Sequence, residues 1–174
     1  MPGILDKYPD LKVRAICHPN RDMEGERAAG TEQFGHISVV LAIKTQNQKE
    51  LVKDIFDIRK YVNEYLSKRK IISTKIHVVE PDYQEVRINL LIASKKVDLK
   101  NSVQNAVEEF LDPITGGEDK NGWTPGRNLY LSDIYHLVEE IPGVDHVIQA
   151  ELDAPELKAD QLIKLKELIV EVES

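Results

Sequence analysis

The residues that first suggest chemistry lie in Gly116-Gly117-Glu118-Asp119-Lys120-Asn121-Gly122. Glycine-rich loops can cradle phosphates on backbone N–H groups. This one lacks the Gly-Lys-Ser/Thr ending and follows a predicted helix rather than a strand, so a phosphate role is not expected. Read as a calcium loop with Asp119, Asn121 and Gly122 at the third, fifth and sixth positions, it has Gly117 first and Asn128 last, where an Asp and a Glu belong. Asp22, Glu24 and Glu26 form a similar acidic stretch, but Gln33 occupies the place of the closing Glu. Solvated acidic loops are the expectation for both.

Nucleophiles and metal ligands fare no better. The five histidines, His18, His36, His77, His136 and His146, include no pair at ligand spacing with a carboxylate or cysteine partner. They read as surface or rim residues, with His77 on the polar face of a strand, and neither a metal nor a cofactor is expected. Cys17 and His18 are neighbours on a predicted strand, so their side chains point to opposite faces and do not form a dyad. There is no Gly-x-Ser-x-Gly elbow. No catalytic set emerges, and the chain reads as a non-enzyme.

The composition frames this. The chain has 174 residues, 30 acidic and 23 basic, a net charge of −7 and 41% hydrophobic residues. Such a chain can bury about 70% of its extended surface and holds a core without disulfides. Cys17, its one cysteine, has no intramolecular partner, which suits a reducing, cytoplasmic setting. The acidic balance argues against binding to nucleic acid or an anionic membrane. The N-terminus shows no secretory pattern, and Val39–Ile43 and Leu90–Ala93 are too short to span a bilayer.

The elements that must position any site follow from periodicity. Lys12–Cys17 reads as a strand, followed by a polar loop to Gly35. His36–Lys44 is a strand whose run Val39-Val40-Leu41-Ala42-Ile43 suggests burial on both faces. Asn47 or Gln48 opens a helix with Leu51, Val52, Ile55, Phe56, Ile58, Val62, Tyr65 and Leu66 as its apolar stripe. Lys68-Arg69-Lys70 closes it, complementing the helix dipole. Ile72–Val79 and Glu85–Ala93 alternate, and Glu80–Tyr83 between them supplies turn chemistry, so a hairpin is predicted. The second strand lacks the exposed aromatics an RNA-binding sheet needs.

Asp98 is the predicted cap of a second helix with Leu99, Val103, Ala106, Val107, Phe110 and Leu111 inward, stopped by Asp112-Pro113. Ser132 is the predicted cap of a short helix, Asp133–Glu140, and Val144–Leu152 is a further strand. From Leu162 onward helical and alternating patterns compete, and Ile169-Val170-Glu171-Val172 favours strands. The expected fold is α+β: a ferredoxin-like βαββαβ core with an inserted glycine-rich loop and short helix, plus flanking N- and C-terminal strands. The corresponding divisions are an N-terminal strand and polar loop (1–35), the core (36–152) with its inserted loop (112–129), and a C-terminal strand extension (153–174).

That inserted loop carries the remaining information. It contains Asp112, Pro113, Gly116, Gly117, Gly122, Trp123, Gly126 and Arg127. The glycines permit unusual backbone angles, Trp123 is the largest apolar anchor in the chain, and Arg127 offers a planar fork of donors. A role pinning the loop to its own domain is favoured over Trp123 anchoring a partner.

In order, Phe110–Pro113, Gly116-Gly117, Gly122–Arg127, Ser132–Val138 and Pro142–Val147 resemble the C-terminal region of the baseplate J-like family, wedge proteins of contractile phage tails and related injection particles. The family pattern is a helix ending in Phe-Leu-(Asp/His)-Pro, a Gly-Gly turn, Gly-Trp-x-x-Gly-Arg, a Ser-capped helix, then Pro-Gly-Val and a strand. Val13–Pro19 and Val78–Tyr83 are similar to flanking segments of that pattern. Members of the family carry long sequences ahead of this region, so the resemblance implies either the tail end of something larger or a compact relative whose assembly contacts differ.

It also implies a non-enzymatic structural and assembly role. Its expected contacts are other wedge proteins and a second copy of itself, through the loop of Asp112–Arg127 or the N-terminal loop. The implied location is the cytoplasm during assembly and then the baseplate of a virion or injection particle. The alternative is a small-molecule-binding regulatory domain of ferredoxin-like shape.

Overall fold

In a computed structural model the described residues are 6, 8–24, 32–45, 48–94 and 99–173. The fold is mixed α+β, with two three-stranded sheets. The chain divides into two compact units, Met1–Pro81 and Asp82–Ser174. The division falls within the stretch 36–152 read above as one core.

In the first unit, β1 (Lys12–Pro19) pairs antiparallel with β2 (His36–Lys44), and β2 pairs parallel with β3 (Lys75–Val79). A parallel pair needs a long crossover, and α1 (Gln48–Ser67) supplies it. Val40, Leu41, Ala42 and Ile43 are all buried, as their unbroken apolar run suggests. Tyr8, Leu41, Ile43, Ile58 and Val78 form the centre of the core, with Ile55, Val62 and Leu66 of α1 packed against it. Arg59 fastens the helix to β3, donating from Nε and Nη2 to the Val78 carbonyl at 3.2 and 3.0 Å.

The helical stripe is narrower than the sequence implies. Val52, Phe56 and Tyr65 are exposed, and Phe56 lies far round the helix from the arc of Ile55, Ile58 and Val62 that meets the core. The basic triplet sits just beyond the last turn, where Arg69 Nη1 donates to the Tyr65 carbonyl at 3.1 Å.

In the second unit, β4 (Asp82–Ala93) is the central strand. It pairs antiparallel with β5 (His146–Asp153) and parallel with β6 (Gln161–Glu173). Val86, Ile88, Leu90 and Ile92 are buried on one face. Helices α2 (Leu99–Phe110) and α3 (Leu131–Glu139) contribute Leu99, Val103, Val107, Ile134 and Val138 to the same core. The other face of the sheet is a ladder of polar pairs, with Arg87–Asp153 at 2.7 Å and Asn89–Glu151 at 3.3 Å. On this face Lys166 hydrogen-bonds the exposed Glu85 and holds its carboxyl below the usual carboxylate range. A depressed carboxyl favours the fold above its ordinary range, and that contribution fades as pH falls through its lowered value.

Several expectations are corrected. The hairpin does not form: β3 and β4 lie in different sheets, so the βαββαβ order is not closed into one ferredoxin-like sheet. Turn chemistry at Glu80-Pro81 does not choose strand partners. Ile72 and Thr74 are not strand residues, since Thr74 N–H bonds the Ile71 carbonyl at 2.9 Å in a turn that leaves Ile72 fully exposed. The stretch from Leu162 is a strand, as expected, and forms an edge of its sheet by pairing in parallel along β4.

Ser132 does not cap α3. The helix begins at Leu131, and Asp133 Oδ2 reaches back to the Tyr130 N–H at 3.0 Å. The predicted cap Asp98, and Asn47 as an opening residue, lie outside the described residues. Among the described residues no helix is long and apolar enough to cross a membrane.

Candidate functional site

The inserted loop of the second unit is built around Asp112 and Trp123. Helix α2 ends at Phe110, and Asp112, nearly buried, turns the chain. Its Oδ1 accepts the N–H groups of Ile114 and Thr115 at 2.8 and 2.9 Å, an Asx-type turn that explains an acidic residue before Pro113. Gly116 N–H then bonds the Asp112 carbonyl at 2.9 Å, and Gly117 N–H the Phe110 carbonyl at 2.7 Å. Gly117, Gly122 and Gly126 take φ values of 77°, 88° and 73°, the left-handed region that glycine enters without steric cost.

Trp123 is completely buried. Its ring meets Phe110 edge-on, with centroids 5.6 Å apart, and its Nε1–H donates to the Arg127 carbonyl at 2.9 Å. The Arg127 guanidinium lies 5.0 Å from the centre of the same ring. Its Nη2 is 2.6 Å from Glu118 Oε1 and 3.4 Å from Asp133 Oδ1, linking the loop to the start of α3. Gly126 N–H bonds the Gln161 carbonyl at 2.9 Å, which ties the loop to β6. A side chain at Gly126 would meet Ala159 Cα at 2.7 Å.

All eight predicted loop residues therefore fall in one connected stretch. Within it Trp123 faces its own core, and Arg127 faces neighbouring carboxylates. Chemically the loop is a folded scaffold.

Asp112→Ala is expected to lower the stability of this unit by about 1–3 kcal/mol, because two backbone donors lose their acceptor. Asp112→Asn keeps an Oδ1 acceptor and is expected to retain most of that stability. Urea unfolding followed by Trp123 fluorescence checks both, since Trp123 is the sole tryptophan.

A second constellation, in the first unit, is invisible in the linear sequence. Parallel pairing sets His77 opposite Ser38 and His36 opposite Lys75, placing the two imidazoles side by side. His36 Nδ1 and His77 Nε2 are 3.0 Å apart. Asp22 Oδ2 lies 3.4 Å from His36 Nδ1, and Glu24 Oε2 lies 2.9 Å from His77 Nδ1.

The segment carrying these carboxylates is anchored by Ser38. The buried Ser38 hydroxyl donates to the Arg21 carbonyl at 2.9 Å and accepts the Met23 N–H at 3.0 Å. Glu24 N–H in turn bonds Asp22 Oδ1 at 3.0 Å, fixing that carboxylate.

His77 is buried rather than the surface or rim residue its position in the sequence suggests, while His36 is half-buried at the rim. The histidines are 41 residues apart in the chain, and only a strand-pairing register could have revealed their proximity. Glu26, the third member of the acidic stretch, lies outside the described residues. Cys17 is exposed on β1.

No family model matches the chain, and no curated protein matches it. Among solved structures, it is similar to a chain of the anti-feeding prophage (AFP) baseplate, determined by cryo-EM with 6-fold symmetrisation. The superposition covers 93% of this chain at 14% identity, with a TM-score of 0.50. The likeness is one of fold. This chain spans 35% of the length of that baseplate chain.

Proposed function

We propose that the protein is a non-enzymatic structural subunit of a contractile-tail or injection-system baseplate, corresponding to the C-terminal region of a baseplate J-like wedge protein. The observation that supports this best is that a single baseplate chain shares the fold over nearly the whole length of both units. The Phe-Leu-Asp-Pro, Gly-Gly, Gly-Trp-x-x-Gly-Arg order of residues 110–127 supports the same reading independently, from sequence. The partners it implies are neighbouring wedge proteins and a second copy of the chain, in a particle-associated location.

The test is purification of the protein from its native source under mild conditions, followed by negative-stain imaging. The expected result is co-migration with a large particle bearing a tube, a sheath and a baseplate. A protein that runs alone, absent from every such particle in the same cells, overturns the proposal.

A further inference from the structure

We propose that Asp22, His36 and His77 form a binding site for a divalent transition metal of the zinc class, with Glu24 orienting the His77 ring. The inference is independent of the baseplate reading. One ligand atom from each of the three residues lies within 4.8 Å of the other two. Zinc bound to imidazole nitrogen and carboxylate oxygen at about 2.0–2.2 Å in tetrahedral geometry sets its ligand atoms roughly 3.3–3.6 Å apart. The observed separations are 3.0 Å between His36 Nδ1 and His77 Nε2, and 3.4 Å between His36 Nδ1 and Asp22 Oδ2. To bind, the nitrogens must part by a few tenths of an ångström and the side chains reorient toward a common point.

The rings lie with centroids 5.1 Å apart and planes inclined by 16°. That centroid separation is close to the N···N distance plus the two ring radii, so the rings meet nitrogen to nitrogen. A bound metal ion would lie between these two nitrogens. Each ring swings by roughly 35° from the N···N axis to reach tetrahedral angles.

The surroundings favour binding over a fortuitous contact. A ligating histidine commonly donates its other N–H to a carboxylate, which fixes its tautomer and raises its basicity. Glu24 Oε2, 2.9 Å from His77 Nδ1, is that carboxylate. Asp22 is held in the same way, its Oδ1 engaged by the Glu24 N–H at 3.0 Å while Oδ2 faces His36. The two imidazoles select against magnesium and calcium, which prefer oxygen ligands. With three protein ligands, the fourth position is left for water or a further group.

The experiment is titration of the whole chelator-treated protein with Zn2+ by calorimetry and with Co2+ by visible absorption. One equivalent of Zn2+ is expected to bind with micromolar or tighter affinity and raise Tm, and Co2+ should give the intense bands of a tetrahedral site. His36→Gln and His77→Gln should each abolish saturable binding. Glu24→Gln should weaken it by about 10–100-fold. His136→Gln and His146→Gln, altering histidines outside the cluster, should leave it unchanged, and circular dichroism verifies the fold of each variant. No saturable Zn2+ binding to the wild type overturns the proposal. So does binding that survives a folded His36→Gln/His77→Gln double variant, or tighter binding of Mg2+ than of Zn2+.

Discussion

Trp123→Ala is expected to destabilise the second unit by about 3–5 kcal/mol, the usual cost of truncating a large buried aromatic residue. The ring is completely buried and meets the edge of Phe110 at the end of α2, the guanidinium of Arg127, and the Arg127 carbonyl through Nε1–H. Removing it opens a cavity beneath the loop and leaves that carbonyl without its donor. Trp123→Phe isolates the parts. It retains most of the apolar volume but loses the hydrogen bond, so a smaller loss of about 1–2 kcal/mol is expected. Because both changes remove the only tryptophan, urea unfolding is followed by far-ultraviolet circular dichroism. Stability should fall in the order wild type, Trp123→Phe, Trp123→Ala. An alanine variant as stable as the wild type would mean that the loop is held by something other than this ring.

The same burial explains what in this loop was legible beforehand. A lone tryptophan among glycines, followed by an arginine, reads as a pin or as a partner's anchor, and sequence favours the pin only on general grounds. What separates them is which way the ring faces, a property of tertiary packing. Alternation was more informative. Val86, Ile88, Leu90 and Ile92 are buried and Glu85, Arg87 and Asn89 exposed, because side chains on a strand change face at every residue. That rule survives any choice of neighbouring strand, which is why the face of β4 was predictable and its partners were not.

Strand partners were misread where local and long-range signals compete. Glu80-Pro81 is good turn chemistry between two alternating segments, yet β3 is taken by β2 in parallel, and β4 by β5 and β6. Parallel pairing leaves no mark at the turn, since its crossover is a helix elsewhere in the chain. The histidine cluster was missed for the same reason. His36 and His77 belong to strands separated by that crossover, and Asp22 and Glu24 come from a loop pinned by Ser38. Ligand spacing within one segment finds metal sites on a single helix or loop, but not those assembled across a sheet.

Gly116→Ala is the second large effect, expected to lower stability by about 3 kcal/mol through overpacking alone. A Cβ at this position would stand 2.3 Å from the Phe110 carbonyl oxygen and 2.6 and 2.7 Å from the backbone O and N of Asp112. All three are main-chain atoms at the end of α2 and in the turn after it, so no side chain can rotate aside. The neighbouring Gly117 provides the contrast. Its φ is +77°, and an added Cβ would meet the Gly122 carbonyl oxygen at 3.3 Å, so the cost there is mainly conformational. Gly117→Ala is expected to lose about 1–2 kcal/mol, and Gly117→Asn less, because asparagine tolerates the left-handed region. Gly116→Asn should be no better than Gly116→Ala, since its penalty is one of space rather than backbone angle. Unfolding of the four variants by urea, read by Trp123 fluorescence, tests this. If asparagine rescued position 116 as well as 117, the close approach of the loop to the end of α2 would not be what demands a glycine there.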